Sequence, residues 1–178
     1  MKTFVEQAEK NGATLISTGP CQFCNAPVTG GVFECFDVYS NAFSKLDLKK
    51  SENHVARFLS VDAHALQHPE VHGRWNNHLH LTRLHLILER KFHWDYKKTP
   101  ILSDVLKSYK QYNSDEYITP PLMGRRGLIT VSDIQNAQNT IDLFRMVNEW
   151  AMDVYHAYAD YHATVFVIAD QFEKSVWK

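Results

Sequence analysis

The chain has 178 residues, 44% of them hydrophobic and 22% charged, an ordinary folded mixture long enough to hide roughly 70% of its unfolded surface. Nineteen basic and twenty acidic side chains leave a formal charge of -1, which supplies none of the long-range attraction that nucleic-acid and anionic-membrane binding depend on, so neither partner is expected. No stretch approaches the ~20 apolar residues of a membrane span.

In chain order, the opening MKTFVEQAEKNG breaks its apolar positions with Glu6, Glu9 and Lys10 and so lacks the unbroken apolar run of a signal peptide. The expected location is the cytoplasm. All three cysteines then fall inside CQFCNAPVTGGVFEC, as Cys21, Cys24 and Cys35. An odd count in a reducing compartment argues against disulfides, and three readings remain: metal ligands, a CxxC redox pair, or small apolar fillers.

Zinc is the favoured cofactor. Two thiolates two residues apart grip a tetrahedral ion from one tight turn. Pro20 and the APVTGG that follows supply turn chemistry, and Cys35 at the start of a helix sits where the helix N-terminus favours a thiolate. A redox CxxC would follow a strand and open a helix, and neither flank reads that way. Residues 15–36 are therefore expected to form a metal-binding knuckle whose fourth ligand lies elsewhere.

Apolar spacing predicts helices over about 33–46, over about 53–67 with Pro69 as the stop, and over about 74–92. A weaker one starts near Pro100. NSDEYITPPLMGRRG is a polar loop rich in breakers, a lid or simple slack. From Leu128 onward there is no Pro, and Thr130 or Ser132 can cap one long helix or two in near succession. Phe144, Val147, Ala151, Val154, Tyr158, Val165, Ala169 and Phe172 paint one face of it. With no internal repeat or linker, the expectation is an all-α bundle forming a single helical domain over residues 1–178, with the knuckle packed on it.

At 100° per residue, His80 and His162 point inward with the apolar stripes of their helices, whereas His78 and His85 lie at an edge and His156 faces away. Asp62 sits in the middle of the Val55, Phe58, Leu59, Leu66 face, where a carboxylate needs partners. These three inward groups can converge, with His162 or His80 completing the zinc sphere and Asp62 orienting the imidazole, or they can form a satisfied core network. His64 and His68 have the i, i+4 spacing of a helical metal clamp. Their face is opposite to the apolar one, which makes His64 a surface residue; Pro69 leaves His68 undecided.

Glycine-rich phosphate loops, GxSxG elbows and HExxH motifs are absent from the sequence, which removes support for the usual nucleotide, hydrolase and metalloprotease chemistries. Trp150, Tyr155, Tyr158, Tyr161 and Phe166 read as core or as a surface for packing a partner. A homodimer using that helix would bury Trp177.

The segments CQFCNAP…ECF, VDAHALQHPE, HLTRLHLILER and HATV resemble, in the same order, those of the DUF5946 family, an uncharacterised bacterial family. The resemblance implies that Cys21, Cys24, Cys35, Asp62, Gln67, His68, His80 and His162 are the polar positions of interest. His64 departs from the family's Tyr, and the stretch from Phe92 to Gly127 is longer. Two functional readings follow. One is a closed zinc site of the three cysteines and a histidine that braces the fold. The other is a metal-dependent hydrolase or transferase, similar in plan to the DinB-like helical enzymes, with His68, His80 and His162 as ligands, Asp62 as base or as the carboxylate that orients a ligand, and an unassigned small-molecule substrate.

Overall fold

A computed structural model describes residues 2–44, 46–47 and 49–176, with side chains from residue 4 onward. Among these residues the fold is all-α: α1 (Lys2–Lys10), α2 (Gly31–Phe43), α3 (Glu52–Gln67), α4 (Asn76–Leu88), α5 (Lys98–Tyr112), α6 (Val131–Ile134), α7 (Thr140–Ala157) and α8 (His162–Val176), with short 3₁₀ turns at Pro69–Val71 and Ala159–Tyr161. Trp177 lies outside the described residues. No helix of the described residues is long and apolar enough to cross a membrane.

The centre of the bundle is α3. It packs against α4 and α7, and every residue from Asp62 to Gln67 is buried. Around it the largest fully buried side chains are Trp94, Trp150, Tyr158, Phe23 and Phe172, with Trp94 stacked on Phe172 at 5.3 Å. Such side chains each remove 150–250 Å² from water and dominate the energetics of a core.

Three features depart from the sequence reading. The N-terminal segment is helical: Phe4 and Ala8 stand four apart, Ala8 is fully buried, and Asn11 Nδ2 ties the end of α1 to the carbonyls of Glu70 (2.6 Å) and His72 (2.9 Å). The stretch after Leu128 forms three helices, because Thr130 and Asp133 make a capping box for the short α6 and Asn139, in extended conformation, caps α7 afresh by accepting from the Asp142 amide at 3.0 Å. Each cap satisfies amides that a continuous helix would have bonded internally.

The polar loop before α6 is neither lid nor slack. Arg126 is buried and pairs both carboxylate oxygens of Glu70 (2.8 and 2.6 Å). Gln67 Nε2 donates to the carbonyls of Arg126 (3.2 Å) and Ile129 (2.8 Å), while Gln67 Oε1 accepts from Trp150 Nε1 (3.1 Å). The loop is nailed to the C-terminal end of α3.

Candidate metal centre

The knuckle is shaped by backbone bonds before any metal is considered. Gly19 N–H donates to Thr29 O (2.6 Å) and Gly31 N–H to Gly19 O (2.9 Å), clipping both ends of the loop together. Inside it, Asn25 N–H donates to Cys21 O (2.8 Å) and Cys21 N–H to Ala26 O (3.0 Å). Asn25 takes the left-handed conformation at φ 61°, which Asn tolerates better than other non-glycine residues. Gly31 opens α2 at φ 62°, where a Cβ would collide with the Ile16 carbonyl. Glu34 braces the junction, its carboxylate accepting from Thr29 N–H at 2.7 Å; bonds from the Gly30 and Thr29 backbone hold its pKa below the usual range.

This turn aims Cys21 and Cys24 at Cys35 on the second turn of α2. The fourth group is His68, the residue that ends α3. Cys21 Sγ lies 3.4 Å and Cys35 Sγ 3.5 Å from His68 Nε2, and Cys24 Sγ lies 3.7 Å from Cys35 Sγ. All four donor atoms fall within 4.8 Å of one another, and all four residues are buried. The cysteines are unbonded; a disulfide needs about 2.05 Å.

These separations can be compared with what a single ion requires. Arms of about 2.3 Å to sulfur and 2.0–2.1 Å to nitrogen give tetrahedron edges of about 3.8 Å between sulfurs and about 3.6 Å between sulfur and nitrogen. The three separations above match both. The imidazole is also correctly oriented: His68 Nδ1 lies 2.7 Å from the His64 carbonyl, and a carbonyl only accepts, so Nδ1 carries a proton and Nε2, facing the sulfurs, is the atom left to bind a metal. The cluster can therefore hold a metal ion.

Burial alone would push His68 down, but the Cys21 and Cys24 sulfurs outweigh it and lift its pKa to about 10, so without an ion Nε2 shares a proton with the thiolates, and a bound cation would take that proton's place. The Cys21 thiol is pushed down by hydrogen bonds from Cys24 and Cys35, while Cys35 is pushed up because it shares protons with the same two sulfurs. Three thiols this close cannot all ionise without a cation among them. Aromatic rings close the outside: Phe36 at 5.2 Å and Phe23 at 5.9 Å from the His68 ring, with His64 stacked on it at 4.2 Å.

The other expected residues stand elsewhere. Asp62 is fully buried and accepts from His80 Nδ1 (2.7 Å), from Arg83 Nε (2.7 Å) and from Arg83 Nη2 (2.5 Å). Arg83 in turn lies over the Phe58 ring at 4.6 Å. That is a satisfied core network, and it orients His80 without bringing it to the cysteines. His162 is half-buried, stacks on Tyr155 at 3.9 Å and donates from Nε2 to the Tyr155 carbonyl (3.0 Å). Gln67 holds the loop. Among the described residues, His68, His80 and His162 form no common donor cluster.

His64 corrects the surface assignment. It is 4% exposed and sandwiched between His68 and Tyr39, whose ring is 4.3 Å away, because α2 covers the face of α3 that the helical wheel left to solvent. His78 and His85, placed at an edge, are buried for a similar reason: α4 has neighbours in α3, α5, α7 and α8. The sequence signal for His68 was Pro69. A residue before proline is driven out of helical conformation, and His68 at φ -126°, ψ 48° no longer belongs on the wheel that described α3.

No curated protein and no solved structure matches the chain. A model described as "Family of unknown function (DUF5946)" matches residues 19–159, from the knuckle to just beyond the end of α7, taking in all four donors and leaving His162 outside. The chain belongs to the DUF5946 family.

Proposed function

We propose that Cys21, Cys24, Cys35 and His68 hold one Zn²⁺ ion in a closed site that joins the knuckle of residues 15–36 to the end of α3, so that residues 1–178 act as one domain. The observation that carries this reading is the buried set of four donors within 4.8 Å. Three thiolates and one imidazole are a donor set that zinc takes in structural sites, where all four tetrahedral positions belong to protein and none is left for water or substrate. The softness of thiolate disfavours magnesium, calcium and manganese. A reducing cytoplasm suits the site, because it keeps the thiols available as ligands.

The ion's work would be mechanical. It ties a segment that precedes α2 to the residue that terminates α3, and the residues next to His68 hold the polar loop through Gln67 and Glu70. Binding energy in such a site is folding energy. The test is metal analysis of protein purified without added metal, together with the spectrum of the cobalt-substituted form. About one zinc per chain and a tetrahedral thiolate-rich cobalt spectrum are expected, both lost in Cys21→Ser along with the folded state. Full metal content in folded Cys21→Ser would overturn the reading.

A further inference from the structure

Between α4, the last turn of α7 and the start of α8 lies an open depression of about 580 Å³, lined among others by His85, Glu89, Tyr155, His162 and Phe166. None of these residues belongs to the cysteine cluster. The hydrogen bonds around the depression assign its protons. Arg90 is held by Asp170 at 2.8 Å and by Glu173 at 3.5 Å, and it lies over the Phe166 ring at 4.5 Å. Its Nε is 3.3 Å from His85 Nε2. A guanidinium only donates, so this ring nitrogen carries the lone pair and Nδ1 carries the proton. Burial, and then the charge of Arg90, hold His85 below the ordinary imidazole range and keep it neutral.

His85 Nδ1–H therefore donates to the Tyr155 hydroxyl oxygen at 2.8 Å, which leaves the hydroxyl proton of a buried tyrosine free for another acceptor. On the other ring the logic runs in reverse. His162 donates from Nε2 to the Tyr155 carbonyl, so Nδ1 is an acceptor with no assigned donor. The imidazole and the phenol are stacked at 3.9 Å and 11°. One pair of stacked rings thus offers a donor and an acceptor beside Phe166, which is 49% exposed.

We propose that this depression binds a small uncharged planar molecule carrying a carbonyl acceptor next to an N–H donor, an aromatic carboxamide being the simplest member of the class. The carbonyl would accept from Tyr155 O–H, the amide would donate to His162 Nδ1, and the ring would pack on Phe166. Exposed Glu89 at the rim repels the corresponding carboxylate. The site is independent of the metal reading.

The test is a titration of the full-length, metal-replete protein with benzamide, followed by backbone amide NMR shifts. Saturable shifts over residues 85–89 and 162–166 are expected, with Kd on the order of 1 mM. Benzoate is expected to bind at least about tenfold more weakly, and Tyr155→Phe and His162→Phe should each weaken benzamide about tenfold at unchanged metal content. His162 is half-buried at a helix start, so its variant serves where Tyr155→Phe does not fold. Shifts that never saturate, benzoate binding as well as benzamide, or His162→Phe binding like the parent would each overturn the proposal.

Discussion

His68 stands between the backbone of His64, 2.7 Å from its Nδ1, and the sulfur of Cys21, 3.4 Å from its Nε2. Helix α3 thereby fixes both the tautomer and the direction of the one nitrogen donor in the centre. Replacing His68 by Ala is expected to cut metal affinity at least about 100-fold, since even the loss of an outer-shell partner commonly costs 10–100-fold. Competition with a chromophoric chelator measures it. His80→Ala and His162→Ala should retain full metal content; loss of metal in either, with His68→Ala unaffected, would transfer the fourth position to that histidine.

Gly31 controls the geometry from the other side. Its positive φ and the adjacent Ile16 carbonyl leave no room for a Cβ, so Gly31→Ala should destabilise the protein by about 2 kcal/mol or more. Urea unfolding gives the loss, and metal analysis should show a weakened site, because Cys35 rides on the helix that Gly31 opens.

The Asp62, His80, Arg83 network makes a separate prediction. Asp62→Ala strands the buried Arg83 guanidinium and should cost about 3–5 kcal/mol. Whatever fraction still folds should carry the same metal per chain as the parent. A folded but metal-free Asp62→Ala would tie this carboxylate to the metal centre after all.

Acid sensitivity is expected from His78, which is fully buried and stacked on Trp75 at 4.3 Å. Burial holds its pKa down to about 4 against the ordinary 6.5. A depressed imidazole means that the unfolded chain binds the extra proton between those values, so stability is lost as pH falls from about 6.5 to about 4, by up to about 3 kcal/mol. His78→Phe keeps a ring against Trp75 and removes the titration. Its stability, followed by circular dichroism in urea, should fall less steeply than the parent's across that window and match it in slope above it.

Much of the fold was legible because apolar spacing is a local property. The helices containing Cys35, Asp62, His80 and Tyr109 lie close to where their periodicity placed them, since each buries a stripe that repeats every three to four residues. The inward positions of Asp62 and His80 follow from the same arithmetic, while the turn that pairs Cys21 with Cys24 follows from their two-residue spacing and the Pro and Gly around them. What failed was anything that depended on which elements lie next to one another. The wheel of α3 has one apolar face, but α2 covers the opposite face as well, and that burial of His64 has no signature in the spacing of α3.

By itself, then, the sequence determined the helical class, the thiol-bearing turn and a short list of polar side chains needing partners, all consequences of backbone geometry within a dozen residues. The partnerships were decided in three dimensions. Cys21 meets His68 across 47 positions and Asp62 takes His80 and Arg83 on a neighbouring helix, because such pairings arise from helix packing, which buries apolar faces first and assigns the enclosed polar atoms to whatever donors or acceptors the packing brings within reach.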